Sequence, residues 1–584
     1  MGTLPPEIVE DIVEMLRRHD LAMLARVNRR FNEHCKRIIY QKIVLRAKRT
    51  DPNPSFPEPW STILTLGGPS GPKYIKHLLV LCKEGLVFKC RRNGSPNYGG
   101  DVPVILSDLT SNLLTTLPPD SLQTFKYYDG CESSILSHSI LQQFPFQSKS
   151  LTVLDLQFSD DRYHFKAGER YNENLECLLF PALRKFTARC LLTLRSVTAV
   201  LHIVSSTEAL DECDLFFISL YDDFDGIMDV FSVCENSLYP CLTSSVRRLK
   251  IYQGTSGTVL SSPPGRSYAV TDLILHNPRN FPPLLPDYVS EDQPFRIRRL
   301  ALTFYSGRHG VNWEGLSAFL ENLSPGLESL QLYSRRTLPD ELLDDHSYWT
   351  RGVHRLISKQ KETLRHLNVP LEQSPGDHPD WNSAWRQAVM ENDVHLESMT
   401  ITWPISTTKD IRWSSDYEGR LMDSCHVEKC PERIKLVERL QTIQVVTTPN
   451  IFYETETPGS VDFAGSVATK YIADCIAKHI CEMVVGQPRA RFIIVGHEAR
   501  EMRIFSVDWV KKDPDVEGGR DKFHPVVEQS SIKQMEAAKL GVDWVEAALW
   551  DTDVPPDYYD IVTDRPWFTA PTAVYQFYGR EDER

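Results

Sequence analysis

The stretch Val246-Arg247-Arg248-Leu249-Lys250-Ile251 decides the fold, because its spacing returns along most of the chain. Val246 stands three residues before Leu249, and Leu249 stands two before Ile251. The last two alternate, as a half-buried strand requires when side chains point to opposite faces with period two. The same spacing occurs at Leu122-Phe125-Tyr127, Leu151-Leu154-Leu156, Leu183-Phe186-Ala188 and Leu210-Cys213-Leu215. It continues at Val270-Leu273-Leu275, Ile297-Leu300-Leu302, Leu327-Leu330-Leu332, Leu364-Leu367-Val369 and Leu396-Met399-Ile401. Successive starts lie 24 to 37 residues apart. Repetition at that period signals an array in which each unit buries its apolar face against the next.

This spacing resembles that of leucine-rich repeats, near the upper end of their length and irregular. The asparagine that follows the strand in regular repeats is mostly absent, and Asn277 is a lone near-match. Helix-like pieces lie between strands at 313–323 and 347–364. One strand and one helix per unit predict an α/β body: an irregular leucine-rich-repeat-like solenoid over residues 63–415. Its parallel strands would line one face, with Leu154, Leu249, Leu273, Leu300, Leu330 and Leu367 in the core. Further on, Leu440-Ile443-Val445 and residues 492–495 read as two more buried strands, with a helix over 471–485 between them. Residues 416–550 are therefore expected to be α/β closing units of the array, since terminal repeats are atypical. The end, 551–584, is rich in Asp, Pro and Tyr and reads as a surface tail.

Ahead of the repeats, Pro52, Pro54, Pro57 and Pro59 stiffen the segment 49–62, which reads as a linker. Residues 1–48 carry a helical pattern. Proline is tolerated in a first helical turn, where its missing N–H would be unpaired anyway, so Pro5 and Pro6 suit a helix start. Glu7, Glu10 and Asp11 then lie near the positive end of the helix dipole. Ile8, Val9, Ile12, Val13 and Leu16 make one apolar face. Asp20 is placed to cap a second helix carrying Leu21, Leu24, Ala25 and Val27. Asn28 can cap a third, with Phe31, Cys35, Ile38 and Ile39 inside. Three short helices bury little surface alone, and a domain so small needs support from a partner or a neighbouring domain.

Leu4-Pro5-x-Glu7-Ile8, Ile12, Leu16, Asp20-Leu21, Leu24, Val27 and Arg30-Phe31 closely resemble the F-box motif, in one unbroken register. With the repeat body behind it, the chain is similar to F-box proteins of the kind seen in filamentous fungi. The resemblance implies a three-helix F-box that docks a Skp-type adaptor through Leu4, Pro5, Ile8, Ile12, Leu16, Leu21, Leu24, Val27 and Phe31. The family often has Trp where this chain has Phe31, a smaller anchor without an indole N–H. Through the adaptor the chain would join a cullin, as the substrate-recognition subunit of a Skp–cullin–F-box type ubiquitin ligase. Such a protein is not an enzyme and needs no cofactor. It brings a protein target toward degradation by raising its effective concentration near the transfer machinery. Two other readings remain: an F-box protein working with the adaptor outside a ligase, and an enzyme built on the C-terminal α/β segment.

Charge fits a docking head. The first 50 residues hold 11 Lys/Arg against 6 Asp/Glu, a net of +5 in a chain of −13 overall, which leaves −18 for the rest. A basic head on an acidic body suits an acidic partner, and the whole-chain balance gives no support to nucleic-acid binding. The 13 cysteines are odd in number and irregularly spaced, so reduced thiols in the cytoplasm or nucleus are expected. No apolar run is long enough for a membrane span; the nearest, 467–485, is broken by Lys470, Asp474, Lys478, His479 and Glu482.

The motifs of bond chemistry are incomplete. The run from Gly67 to Lys73 fails the phosphate-loop spacing, and Pro72 lacks a cradling N–H. His497-Glu498 has no second His at the zinc-protease spacing. Cys425, His426 and Cys430 lack the fourth ligand of a structural zinc, so no metal site is expected. Asp222-Asp223-Phe224-Asp225-Gly226 has Tyr221 where a calcium loop needs an acid. Target binding is instead expected on the variable strand positions, which would face outward. Arg248, Arg299 and Tyr333 are the candidates there, beside Lys250, Ala301, Ser329, Gln331, His366, Asn368, Ser398 and Thr400. Arg and Tyr combine apolar area with directed hydrogen bonds, as protein interfaces favour.

Overall fold

Val246, Leu249 and Ile251 are all buried, at the entry to and within a strand spanning Arg248–Tyr252. The structure is a computed structural model. It describes residues 18–27, 29–48, 72–83, 110–129, 140, 144–157, 179–191, 194–217, 230, 232–252, 269–276, 296–304, 320, 323–334, 346–368, 381–407, 425–427, 431–448, 473–474, 476–483, 489–495, 503–511 and 523–529. The expected first helix, the linker 49–62 and the tail 551–584 lie outside the described residues. The chain divides into two units, Met1–Val270 and Thr271–Arg584. Both are mixed α/β.

The first unit opens with helices α1 (Arg18–Leu24) and α2 (Arg29–Ile39). Strands β1 (Lys42–Lys48), β2 (His77–Lys83), β3 (Thr124–Asp129), β4 (Val153–Gln157) and β5 (Lys185–Leu191) follow. Helix α3 (Leu194–Ser205), β6 (Glu212–Phe217), α4 (Tyr239–Ser245) and β7 (Arg248–Tyr252) complete it. From β1 to β7 each strand pairs in parallel with the next in the chain. Parallel neighbours need a crossover connection, which is why strand entries recur at tens of residues and not at hairpin spacing.

The second unit holds β8 (Asp272–His276), β9 (Arg299–Phe304), β10 (Ser329–Ser334), α5 (His346–Gln360) and β11 (His366–Asn368). Then come α6 (Trp381–Glu391), β12 (Ser398–Thr407), β13 (Cys425–Val427), α7 (Pro431–Val437), β14 (Thr442–Thr448) and β15 (Phe492–Val495). Strands β8 to β12, β14 and β15 pair in parallel in that order. The short β13 lies antiparallel on the far end of β12. The last strands, β16 (Arg503–Lys511) and β17 (Phe523–Gln529), run antiparallel after β15. The repeat spacing gives no warning of this reversal.

One backbone device recurs at the strand entries. A carbonyl on one strand's entry accepts from two successive N–H groups at the entry of the next. Gln123 O takes Thr152 N at 2.8 Å and Val153 N at 3.1 Å; Arg298 O takes Glu328 N at 2.7 Å and Ser329 N at 3.0 Å. The residue two before each strand's first inward side chain is thereby fixed, and the register with it. All six expected core leucines, Leu154, Leu249, Leu273, Leu300, Leu330 and Leu367, are buried on strands. Within the first unit, Phe144 meets Phe125 edge-on at 5.3 Å and Phe180 at 6.3 Å, a geometry that suits the ring quadrupoles.

Two buried glutamines close the turns before strands. Gln147 Oε1 accepts from Ser121 N at 3.1 Å and Leu122 N at 3.0 Å, while its Nε2 donates to Pro118 O at 2.9 Å. Gln360 repeats the pattern on Gly326 N, Leu327 N and Ser324 O. Each stands four residues before the first apolar residue of its own repeat, Leu151 and Leu364. Buried backbone groups must find partners, and here one side chain serves three of them.

The opposite face of the strands departs from expectation. Lys250, Ala301, Ser329, Gln331, Asn368, Ser398 and Thr400 are buried, not solvated. They stand in register with residues of neighbouring strands: Lys250 with Asp214, Ala301 with Gln331, Gln331 with Asn368, and Thr400 with Gln444. A one-residue alternation tells which side of a sheet a residue takes, but not whether that side meets water.

Candidate functional site

The described part of the head is built around Leu21 and Cys35, which pack together fully buried. Leu24, Ala25, Phe31, Ile38 and Ile39 lie half-buried around them. Helix α1 ends by tightening: Ala25 N donates to Leu21 O, but Arg26 N and Val27 N reach back only three residues, to Met23 O and Leu24 O. Asp20 falls in the first turn of α1, where it favours the dipole without being the cap. Helix α2 begins at Arg29, directly after Asn28, and carries Lys36 and Arg37 in its last turn, where cations are favoured. Burial raises the Cys35 thiol above its ordinary value. Of the expected docking residues, Leu21, Leu24 and Phe31 come together in this cluster, and Val27 is exposed at its edge. Leu4, Pro5, Ile8, Ile12 and Leu16 lie outside the described residues.

No spacer separates α2 from the sheet. Gln41 follows the helix, with its own N–H on Ile38 O, and its carbonyl accepts from Lys76 N and His77 N, both at 2.9 Å. That is the two-donor rung seen at later strand entries. Lys42–Lys48 then pairs residue for residue with β2. The head's last seven residues, counted to 48, are therefore a strand of the sheet. Tyr74 adds a side-chain tie, donating to Glu33 Oε2 of α2 at 3.1 Å, and Lys73 Nζ lies 4.7 Å over the Tyr74 ring.

The far face of the first unit carries a charged ladder. Arg189 meets Asp155 by two hydrogen bonds, at 3.1 and 3.3 Å, and its guanidinium lies 4.3 Å over Phe216. Phe216 in turn meets Tyr252 at 5.8 Å. Lys185 bridges Glu212 at 3.1 Å and Asp214 at 4.0 Å. Burial works to lower its pKa, but Asp214 and Glu212 outweigh that and raise it. Lys126 has the opposite outcome. Burial lowers it, Asp155 opposes, and Lys185, Arg189 and Lys42 add to the lowering. On the second unit the face is uncharged along its middle row: the Thr400 hydroxyl sits between the side-chain amides of Asn368 and Gln444, and His366 Nδ1 lies 2.8 Å from Ser398 Oγ.

Arg248, half-buried, enters β7 of the first unit; Arg299, exposed, enters β9 of the second; Tyr333 lies on β10. Arg299 pairs with Ser329 and Tyr333 with Thr303, so Arg299 and Tyr333 stand four register positions apart on neighbouring strands. Cys425 and His426 lie on β13, while Cys430, His497, Glu498 and the Asp222–Gly226 run fall outside the described residues. Among the described residues no group of three or more His, Cys, Asp or Glu is placed to hold a metal, and no helix is long and apolar enough to cross a membrane.

An F-box-like family model matches residues 1–46. Its last residues fall within β1. No curated protein matches the chain.

Proposed function

We propose that this chain is the substrate-recognition subunit of a Skp–cullin–F-box type ubiquitin ligase, without catalysis of its own. The observation that carries this reading is the F-box-like match over residues 1–46, on a helical head that leaves Val27 of the motif exposed. The head binds the Skp-type adaptor with Leu4, Pro5, Ile8, Ile12, Leu16, Leu21, Leu24, Val27 and Phe31. Each unit behind it is read as a leucine-rich-repeat-like stack, supported by parallel strands in chain order and by the recurring two-donor rung. The protein target is held by strand-entry and strand-end positions, with Arg248, Arg299 and Tyr333 as the candidates. Exposure of Arg299 favours that row over the buried middle one. Free cysteines at positions 35, 213, 234 and 481 fit the cytoplasm or nucleus, where thiols stay reduced.

The test is co-purification of the full chain with its bound proteins identified. Adaptor and cullin together support the ligase; adaptor without cullin supports a role outside it. A Leu4→Ala/Pro5→Ala chain that keeps the adaptor refutes the docking assignment. Loss of target, with the adaptor retained, is expected on changing Arg248, Arg299 and Tyr333 together to Ala. Capture that survives this change but is lost on deleting 416–584 moves the target site to the C-terminal segment.

A further inference from the structure

On the far face of the first unit, five strands set their side chains side by side. The registers place Lys126 beside Asp155, Asp155 beside Thr187, Thr187 beside Asp214, and Asp214 beside Lys250. A second row runs from Lys185 through Glu212 to Arg248. Contacts join a third: Arg189 lies over Phe216, and Phe216 meets Tyr252. The face is thus continuous from β3 to β7. Asp155, Asp214 and Lys250 are buried in it, whereas Lys126, Lys185, Arg248, Phe216 and Tyr252 are only half-buried. We infer that this face holds an acidic, extended segment of the protein target, with side-chain carboxylates set against Lys126, Lys185 and Arg248. The inference names the chemistry of the target and rests on the target reading above.

Charge selects that occupant. The far-face positions of β3 to β7 carry five Lys/Arg, from Lys126 to Lys250, against three Asp/Glu, a net of +2 in a chain of −13 overall. All three carboxylates have a cation within the face: Asp155 takes both bonds from Arg189, and Glu212 and Asp214 share Lys185. Lys126 marks where positive charge crowds. Burial lowers its pKa, Asp155 opposes, and Lys185, Arg189 and Lys42 add to the lowering. A further carboxylate beside it relieves that crowding, and complementary charge of this kind selects partners. Neighbouring strands lie about 4.8 Å apart, so the face spans about 19 Å, the length of about six residues of extended chain. Phe216 and Tyr252 offer the segment apolar area at one side. A nucleic acid suits the face less well, because Asp155, Glu212 and Asp214 stand among the cations and oppose a backbone that is charged at every phosphate.

The test measures binding of the purified full-length chain to a fluorescein-labelled peptide of alternating Glu and Ala. Wild type, Lys126→Gln, Lys126→Glu and the head pair Lys36→Gln/Arg37→Gln are compared, with the melting temperature of each chain. Lys126→Gln is expected to weaken binding about tenfold and Lys126→Glu to weaken it further, while the head pair binds like wild type. Added salt weakens the wild-type contact. Melting of Lys126→Gln should not fall, since the charge it removes is disfavoured where it sits; should Lys126→Glu fail to fold, Lys126→Gln decides alone. A wild-type chain that does not bind the peptide overturns the inference, as does binding that persists in the Lys126 variants or is lost only in the head pair. An oligouridine bound more tightly than the peptide makes the face a nucleic-acid site, and self-association of the free chain that Lys126→Gln removes makes the occupant a second copy; either overturns it. Co-purification tests the target reading separately. A target that stays on the Lys126→Gln chain keeps that reading and overturns the inference, whereas a wild-type chain that carries adaptor and no target overturns the reading.

Discussion

Replacing Gln360 tests how the turns before the strands are held. Its side chain is 0% exposed. Its Oε1 accepts from Gly326 N at 2.9 Å and Leu327 N at 3.0 Å, and its Nε2 donates to Ser324 O at 2.9 Å. Gly326 holds φ +126, a conformation that L side chains rarely adopt, so the turn relies on that glycine and on the amide together. Leucine in place of Gln360 fills most of the volume but strands two N–H groups and one carbonyl. An unpaired buried polar group costs about 1–3 kcal/mol. Three of them therefore imply a loss of about 3 kcal/mol or more. Gln360→Ala should cost less than Gln360→Leu at these groups, because water can enter the vacated polar space and pair with some of them. The assay is urea denaturation, with hydrogen exchange read at Gly326 and Leu327. A Gln360→Leu loss below about 0.5 kcal/mol, the range of ordinary surface changes, or unchanged exchange at both amides, refutes the reasoning. Gln147→Leu should repeat the result at Ser121 and Leu122.

Other perturbations probe the remaining buried groups. Burial pushes the Cys234 and Cys481 thiols up to about 12, and raises Cys213 well above its ordinary value. Since the thiolate is the nucleophile, all three should resist iodoacetamide at pH 8 in the folded chain and react fully in urea; mass mapping of the label decides it. His77 is lowered by burial and by Lys42 and Lys76. The unfolded chain therefore binds that proton more readily, and the contribution to stability is present above the ordinary histidine pKa and lost as pH falls through it toward the lower folded value; an NMR titration midpoint above about 6.5 contradicts this. Arg189→Ala leaves Asp155 buried without its two-point partner, and removing one member of a buried pair costs about 3–5 kcal/mol. Arg189→Lys should recover only part, since an ammonium makes neither the two-point contact nor the same stack on Phe216; full recovery in a denaturation series counts against the geometry.

The strand rhythm was legible because it depends on a few large apolar residues at fixed spacing. Leu440-Ile443-Val445 and residues 492–495 do take strands beyond the main array. The same rhythm also sits in Ile75-Leu78-Val80, all buried at β2, where a count starting from Leu122 misses it. Polarity of the far face was not legible. Lys250 reads as a solvent residue by chemistry and by alternation, yet it is 2% exposed, because burial there is set by neighbouring strands and not by the residue itself. The turn-closing glutamines had a signal, a Gln four residues before the repeat's first leucine, but two instances do not stand out in an uncharged polar background. The antiparallel β16 and β17 had no signal, since alternation is the same for either strand direction. In the head, the helical spacing expects Leu21 and Leu24 on one helix and Phe31 and Cys35 on the inner side of the next, and these residues lie in one cluster; the exposed Met23 could be recognised only once α1 had a surface.

The seam between head and sheet has a consequence for docking. A helical module joined by a proline-rich linker would let the adaptor swing relative to the body. Here the link is Gln41, whose carbonyl serves as the first two-donor rung, followed at once by seven residues paired with β2. An unpaired β2 edge would present a row of free N–H and C=O groups, a template for aggregation; β1 covers it. The head is therefore also the N-terminal cap of the first unit, and a ligand that stabilises the head stabilises the cap by mass action. Adaptor binding is expected to slow hydrogen exchange not only in α1 and α2 but at Lys76 and His77, the donors to Gln41. Deleting residues 1–48 should uncover the β2 edge and promote aggregation, whereas Leu4→Ala/Pro5→Ala should weaken adaptor binding and leave the aggregation state unchanged. If adaptor binding protects the helices while Lys76 and His77 exchange as before, the head moves independently of the sheet, and the rigid seam is refuted.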